Sequence, residues 1–206
     1  VQADALMVLN VLPRYSYNLY DVPIAGQWIE YFEDQCAFVD ELPATLREAL
    51  VVRLYEHDFG WDQEKRWWDR YPDLSYQTNS VNLFSSVASA RIFISTYNSA
   101  AFLESISMDI PTVVFWNTEH SSIADSAAEV FDLLGSVGIF HQDPRSASRH
   151  VASVWNDVNA WWQSQVVRDA RDVFMDRLSR DPRGVAERVT ETLLSLVSDR
   201  VHDRPV

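Results

Sequence analysis

The chain alternates short apolar runs rich in branched residues with longer segments in which apolar residues recur at helical spacing. The short runs predict six strands, at residues 5–12, 51–56, 74–78, 91–96, 111–116 and 138–141. The longer segments predict helices at 26–40, 44–49, 61–70, 81–88, 99–108, 121–135 and 145–158, followed by a helical region from 159 to about 199. Such alternation is typical of a mostly parallel sheet covered by helices on both faces. We therefore predict an α/β, Rossmann-like domain.

The stretch Asp181-Pro182-Arg183-Gly184 divides the C-terminal helical region. Proline lacks a backbone amide and glycine loosens the backbone, so we expect the helix to be interrupted here. This places a domain at residues 1–180 and a C-terminal amphipathic helix and tail at 181–206. The last helix carries an apolar stripe that we expect to dock on the domain; it consists of Val185, Val189, Leu193 and Leu196.

Composition restricts the classes of function. The 206 residues are 47% hydrophobic, which is enough for a sizeable core. The formal net charge of −13 argues against adhesion to nucleic acid or to an anionic membrane, because both need clustered Lys and Arg. Cys36 is the single cysteine, which excludes an internal disulfide and a zinc site built from several cysteines. With no apolar run of about 18 to 20 residues, we expect a soluble, cytoplasmic protein without a membrane span.

Several familiar site motifs are absent. Only 5 glycines are present, and no GxGxxG fingerprint, P-loop, nucleophile elbow or HExxH motif occurs. A standard NAD-binding domain is therefore excluded. The spacing of His120, His141 and His150 suggests no metal site, and we expect these histidines to be structural.

Polar residues collect directly after four of the predicted strands. The segments are "LPRYSYNLYDVP" with Arg14, "RLYEHDFGW" with Arg53 and His57, "STYNSAAFLE", and "FWNTEHSS". Ligands of parallel sheets bind at the carboxyl ends of the strands. The pattern therefore predicts a binding site along that edge, with the strand ends near residues 12, 56, 96 and 116 opening on it.

The segment "STYNSAAFLE" predicts a strand end, a polar turn and a helix that begins near Ser99. The first amides of a helix and the positive end of its dipole favour a phosphate at that position. Asn98 and Ser99 either cap the helix or contact the ligand. Glu104 projects from the second turn, where its carboxylate can accept hydrogen bonds from two ribose hydroxyls. The alternative is a simple N-cap at Ser99 and a solvated Glu104.

Two residues after the second strand suit a diphosphate. Arg53 offers a bidentate guanidinium fork, and His57 offers a donor that changes with pH. The alternative is that His57, like many lone histidines at strand ends, is structural.

Five segments together carry a resemblance to a known family. They are "LPRYSYNLYDVP", "VRLYEHDFGW", "STYNSAAFLESISMDIPTVVFWNTEH", "AAEVFDLLGSVGIFH" and "WWQSQVVRDARDVF". In this order they resemble the C-terminal half of a family of bacterial surface-carbohydrate transferases, which are similar to GT-B glycosyltransferases of capsule and lipopolysaccharide biosynthesis. The resemblance runs from about residue 5 to residue 178.

The resemblance implies two Rossmann-like domains that face each other across a cleft. The C-terminal domain would hold the nucleotide-sugar donor, and an N-terminal domain missing from this chain would bind the glycan acceptor and supply the catalytic base. The chain also begins without methionine inside an apolar run, as expected of a fragment. No metal or cofactor is implied. The implied donor-binding residues are Arg14, Arg53, His57, Tyr97, Asn98, Ser99, Glu104, Asn117 and Glu119.

One loop departs from the family's pattern. The family usually reads Trp-Glu-x-Arg after its Asn-x-Glu-His stretch, whereas this chain has Ser121, Ser122, Ile123 and Ala124. The departure implies a different sugar or a weakened activity. Two alternatives to the glycosyltransferase stay open, namely a nucleotide-sugar 2-epimerase or hydrolase of GT-B fold, and a non-catalytic nucleotide-binding module.

Overall fold

The computed structural model describes residues 4–15, 26–77, 81–178 and 185–202. Its centre is a six-stranded sheet in which every neighbouring pair of strands is parallel. The strands are β1 (Ala5–Val8), β2 (Leu50–Arg53), β3 (Ser75–Gln77), β4 (Ile92–Ser95), β5 (Thr112–Phe115) and β6 (Phe140–His141). Their order across the sheet is β3-β2-β1-β4-β5-β6. The predicted α/β, Rossmann-like fold is thereby confirmed.

Helices connect the strands and cover both faces of the sheet. They are α1 (Gln27–Glu41), α2 (Ala44–Glu48), α3 (Gln63–Arg70), α4 (Leu83–Ser89), α5 (Ala100–Ser107), α6 (Ala128–Ser136), α7 (Pro144–Val154), α8 (Val158–Trp162), α9 (Gln165–Leu178) and α10 (Val185–His202). Two short 3-10 turns, Asp125–Ala127 and Trp155–Asp157, precede α6 and α8. None of the described helices is both long enough and apolar enough to cross a membrane.

The core has two layers because successive side chains of a buried strand point to opposite faces. In β1, Met7 belongs to the cluster that includes residues of α1 and α7, whereas Leu6 belongs to the cluster that includes residues of α5, α6 and α9. Both side chains are fully buried. The apolar runs therefore lack an alternating polar face, which explains why they could be recognised as central strands of a parallel sheet.

Hydrogen bonds explain where two elements differ from their predicted limits. The first strand was expected to extend to residue 12, but it ends at Val8, and the amide of Asn10 donates instead to the Tyr31 hydroxyl (2.9 Å). The helix expected from residue 121 begins later, because the backbone carbonyl of Asn117 accepts hydrogen bonds from the amides of His120 and Ser121 and holds a turn there.

The C-terminal region contains a correction. Helix α10 forms as expected, and the predicted interruption at 181–184 lies outside the described residues. The expected docking of its stripe is wrong for the two members whose side chains are described, since Val189 is 51% and Leu193 is 58% exposed. Amphipathic spacing identified the helix, but it does not specify which surface, if any, covers the apolar side.

Candidate functional site

The carboxyl ends of the strands form one edge, as predicted. Val8 at the end of β1 pairs with Arg53 of β2 on one side and with Ser95 of β4 on the other. The strand order reverses between β1 and β4, because β2 and β3 lie to one side of β1 while β4, β5 and β6 lie to the other. Ligands of open α/β sheets bind in the crevice at such a switch point. The segments that follow β1 and β4 are therefore the first candidates for a site.

A chain of hydrogen bonds joins the segments that follow β1 and β4 to helix α1 at the switch point. The Thr96 hydroxyl donates to the carbonyl of Val8 (2.9 Å), and the Tyr31 hydroxyl lies 2.7 Å from the Thr96 oxygen. The amide of Asn10 in turn donates to the Tyr31 oxygen (2.9 Å). Burial raises the pKa of Tyr31, so the phenol stays protonated and can donate to Thr96. These hydrogen bonds fix the ends of β1 and β4 relative to α1.

The start of α5 lies at this crevice with unused hydrogen-bonding groups. Ser99 is the N-cap residue in extended conformation, but its side chain makes no capping hydrogen bond. Its buried hydroxyl oxygen has no hydrogen-bond partner within the described ranges. The first amides of an α-helix lack intrahelical partners, so an anion at this position would meet free donors.

Two more predicted residues near α5 have polar groups to offer. Asn98 and Glu104 are both half-buried. Neither side chain makes a hydrogen bond or ion pair with the described part of the chain. Glu104 lies in the second turn of α5, as predicted. A half-buried carboxylate without a protein partner is suited to accepting hydrogen bonds from a ligand.

Arg53 lies on the same edge as Ser99, but its guanidinium has an internal function. Its Nη1 donates to Gln77 Oε1 (2.9 Å) and Ser86 Oγ (3.4 Å), and its Nη2 donates to the Val81 carbonyl (2.8 Å). The residue is 6% exposed, and burial lowers its pKa. Arg53 thus ties β2 to β3 and to the segment before α4. Its role in binding a diphosphate stays a prediction.

The loop after β2 carries His57, which is exposed. Its ring contacts Phe59 and Tyr55 at centroid distances of 5.6 and 6.5 Å, and both of these residues are 40% exposed. Burial of Asp58 would raise its pKa, but backbone amides that donate to its carboxylate outweigh this effect and the pKa is lowered. Asp58 therefore fixes the backbone of the loop after β2, and Tyr55 and Phe59 remain partly exposed to solvent.

The side chain of Arg14 connects the loop after β1 to the loop after β2. Its Nη1 donates to the Gly60 carbonyl (3.3 Å), and its guanidinium carbon lies 5.1 Å from the ring centre of Trp61. Trp61 Nε1 donates back to the carbonyl of Leu12 (2.9 Å) and the ring stacks on Trp28. Arg14 is exposed, so its remaining donors face solvent beside the crevice.

A small cleft connects the loops after β4 and β5 with α1. It is lined by Tyr31, Asp34, Thr96, Tyr97, Asn98, Phe115, Trp116, Asn117, His120 and Ser121. Its volume is about 10 Å³, enough for roughly one water molecule. The structure thus brings the predicted Tyr97, Asn98 and Asn117 together. Glu119 is exposed on the same loop, where its amide donates to Asn117 Oδ1 (2.9 Å).

The cleft is also lined by His120, which forms an acid–imidazole pair that the sequence did not suggest. His120, expected to be structural, has its Nε2 3.0 Å from Glu30 Oε2. Burial raises the pKa of the adjacent Asp34, and His120 partly opposes that rise. Ionisable groups perturbed in a cleft are candidates for function. The only sequence signal was the placement of His120 after a predicted strand, because Glu30 and Asp34 lie far away along the chain.

The loop that departs from the family's pattern closes one side of this cleft. Ser121 is buried, and its carbonyl accepts a hydrogen bond from Trp116 Nε1 (2.9 Å). Ile123 packs against the apolar cluster on the α5 side of the sheet. Ser121, at the family's aromatic position, and Ile123, at its unspecified position, therefore both serve packing.

Comparison with known families identifies the relatives of this chain. The description "LIC12162 family transferase" matches residues 2–193, which is nearly the whole sequence. The chain belongs to the LIC12162 family of transferases. No curated protein and no solved structure matched the chain. Family membership therefore establishes a transferase, and the carboxyl edge at the switch point of its Rossmann-like sheet is the candidate place for the group donor.

Proposed function

We propose that this chain is the donor-binding half of a glycosyltransferase that moves a sugar from a nucleotide-sugar to a cell-surface glycan. The observation that carries the proposal is the start of α5 at the switch point, where the buried Ser99 hydroxyl has no hydrogen-bond partner within the described residues. Membership of a transferase family supports group transfer as the reaction class. The sugar and the cell-surface acceptor come from the resemblance to GT-B enzymes.

In this proposal each group contacts a different part of the donor. The amides at the start of α5 and the Ser99 hydroxyl would bind the diphosphate, because free helix donors favour an anion. Glu104 in the second turn would accept hydrogen bonds from the ribose hydroxyls. Stabilising the departing nucleotide phosphate is the main electrostatic requirement of such a transfer, and preorganised donors meet it without reorganisation.

The proposal includes a second Rossmann-like domain that binds the glycan acceptor opposite the carboxyl edge. The nucleotide-sugar and this second domain are then the principal partners of the chain. Half-exposed Tyr55 and Phe59 beside the crevice would lie toward such a partner or toward the donor.

Calorimetric titration tests the donor site. The parent chain is titrated with nucleosides and with nucleoside diphosphates carrying uracil, guanine, adenine or thymine. We expect at least one diphosphate to bind, and more tightly than its nucleoside, with a preference that falls as salt rises because exposed phosphate contacts are screened over about 10 Å at 0.1 M salt. Equal binding of nucleoside and diphosphate, or no binding at all, would contradict the proposal and favour a module without nucleotide chemistry.

Matched variants locate the site. Glu104→Gln removes a charge at the second turn of α5 and is expected to lose about 1 to 3 kcal/mol of affinity. Glu48→Gln is the control, because Glu48 is an exposed carboxylate at the end of α2, just before β2 begins and hence at the opposite edge of the sheet. If both variants lose affinity equally, the effect is one of net charge and not of position.

The product of a turnover assay separates the transferase from its alternative. A GT-B epimerase changes the nucleotide-sugar without an acceptor, whereas a transferase requires one. Incubation of the full protein with a nucleotide-sugar, with and without glycan, therefore distinguishes the two. Conversion that is independent of acceptor would favour the epimerase or hydrolase.

A further inference from the structure

The ring of His120 is fixed in one orientation on the loop after β5. Its side chain is 8% exposed, and Nε2 lies 3.0 Å from Glu30 Oε2. A carboxylate can only accept hydrogen bonds, so Nε2 carries the proton. In the neutral imidazole the other nitrogen, Nδ1, is then a lone-pair acceptor.

That acceptor has no partner in the described part of the chain. The Nδ1 atom of His120 is buried and makes no hydrogen bond there. Buried acceptors are rarely left unpaired, because they lose hydrogen bonds to water without replacement. His120 also lines the cleft of about 10 Å³, which has room for roughly one water molecule or one hydroxyl group. A donor in this space would satisfy Nδ1.

The charges around the cleft oppose an anion as that donor. Glu30 and Asp34 approach from α1, and the electrostatic neighbours of Asp34 at the start of α7 are Asp143 and Arg145. Three carboxylates thus face a single arginine beside the imidazole. A phosphate would meet repulsion from these groups, whereas a neutral hydroxyl would not.

The remaining lining suits a sugar. The amides of Asn98 and Asn117 lie at the cleft together with the ring of Tyr97. Amide groups both donate and accept, as sugar hydroxyls do, and an aromatic ring offers an apolar surface to the sugar's C–H groups. The polar groups are held in place, since Asn117 Oδ1 is fixed by the amide of Glu119 (2.9 Å).

We propose that one hydroxyl of a sugar enters this cleft and forms a hydrogen bond with Nδ1 of His120, while Glu30 holds the imidazole through Nε2 and the rest of the sugar lies outside the cleft. The choice of a sugar rests on the proposed glycosyltransferase function, whereas the need for a hydrogen-bond partner at Nδ1 rests on the burial of that atom without a partner in the described residues. The site adjoins the proposed phosphate-binding start of α5, because Asn98 lines the cleft and directly precedes the N-cap Ser99, and it adds a contact that selects the sugar.

Nitrogen-15 NMR of the imidazole rings tests the proposal on the parent chain. The five histidines are His57, His120, His141, His150 and His202, and the His120 resonances are assigned from the spectra of His120→Gln and His57→Gln. The chain is titrated with the methyl glycosides of glucose, galactose, mannose and N-acetylglucosamine, and separately with inorganic phosphate. We expect a saturable shift of the His120 nitrogens with at least one glycoside, and no shift of His141 or His150.

Variants of Glu30 test whether this residue positions the His120 ring for glycoside binding. Glu30→Gln keeps an oxygen that accepts the Nε2 proton, so glycoside affinity is expected to stay within about twofold of the parent. Glu30→Ala releases the ring and is expected to weaken the affinity by about fivefold, the loss of one net hydrogen bond. Equal affinity in all three proteins would overturn the role of Glu30.

Three outcomes would overturn the sugar site itself. They are no response of His120 to any glycoside, which leaves an internal water only; a response to phosphate instead; and equal shifts of all histidines, which indicates a cosolute effect. Failure of the proposed function is recognised separately. Nucleoside diphosphates would then fail to bind while a glycoside still shifts His120.

Discussion

Replacing Arg53 by alanine should destabilise the fold strongly. The guanidinium donates to Gln77, Ser86 and the Val81 carbonyl at 2.9, 3.4 and 2.8 Å, and the residue is only 6% exposed. Hydrogen bonds from charged donors contribute about 1.5 to 3 kcal/mol each. Ser86 retains its hydrogen bond to the Asn82 carbonyl, and the Val81 and Gln77 contacts are partly buried, so less than the full sum is lost.

We therefore expect Arg53→Ala to lower the free energy of unfolding by about 2 to 4 kcal/mol. Arg53→Lys should lose about 1 to 2 kcal/mol, because one ammonium cannot reproduce the planar fork that reaches both β3 and the segment before α4. Urea denaturation followed by circular dichroism measures both values. An Arg53→Ala variant within about 0.5 kcal/mol of the parent would refute the structural role, and a selective loss of diphosphate binding at unchanged stability would restore the ligand role.

Three further predictions follow from the packing around β6 and the turn before β5. Gly138→Ala should lower the melting temperature, because Gly138 has φ of +82° and an added Cβ would clash with the ring of His150; thermal unfolding measures this. Burial, together with the nearby His141, lowers the pKa of His150 from 6.5 to about 4. The stability that the neutral His150 contributes should therefore be complete above pH 6.5 and should be lost as the pH falls toward 4. Urea midpoints measured across that range should depend less on pH in His150→Gln than in the parent. Arg171→Ala should lose about 2 to 4 kcal/mol, because Arg171 is 8% exposed and pairs with Asp109, which holds the left-handed turn before β5; equal urea midpoints in variant and parent would contradict it.

Much of the fold could be predicted because four of its strands, β1, β2, β4 and β5, are buried on both faces. The run Ile92–Ile94 is apolar at three consecutive positions, and this indicates a central strand without reference to any other part of the chain. The position of Ser99 at the edge followed in the same way, since a parallel sheet places all loops that follow its strands together. These inferences need only local sequence and one rule of topology.

The direction and the partners of side chains could not be predicted in this way. Arg53 reaches Ser86, which lies 33 residues further along the chain, and the pairing depends on how α4 packs against β2 and β3. His120 finds its acid partner, Glu30, on a helix at the far end of the sequence. No spacing rule connects residues so distant. A histidine that looks isolated in the sequence therefore becomes part of a site only after folding.

Backbone-amide NMR with a bound nucleoside diphosphate is the most direct test of the donor site. The tightest diphosphate from the titration panel is added to the nitrogen-15 labelled chain at low salt. We predict the largest shifts at the amides of residues 98–101, where α5 begins, and little change at residues 44–48 on the opposite edge of the sheet. Shifts confined to residues 44–48, or spread evenly over the surface, would contradict the claim that the start of α5 binds the donor phosphates.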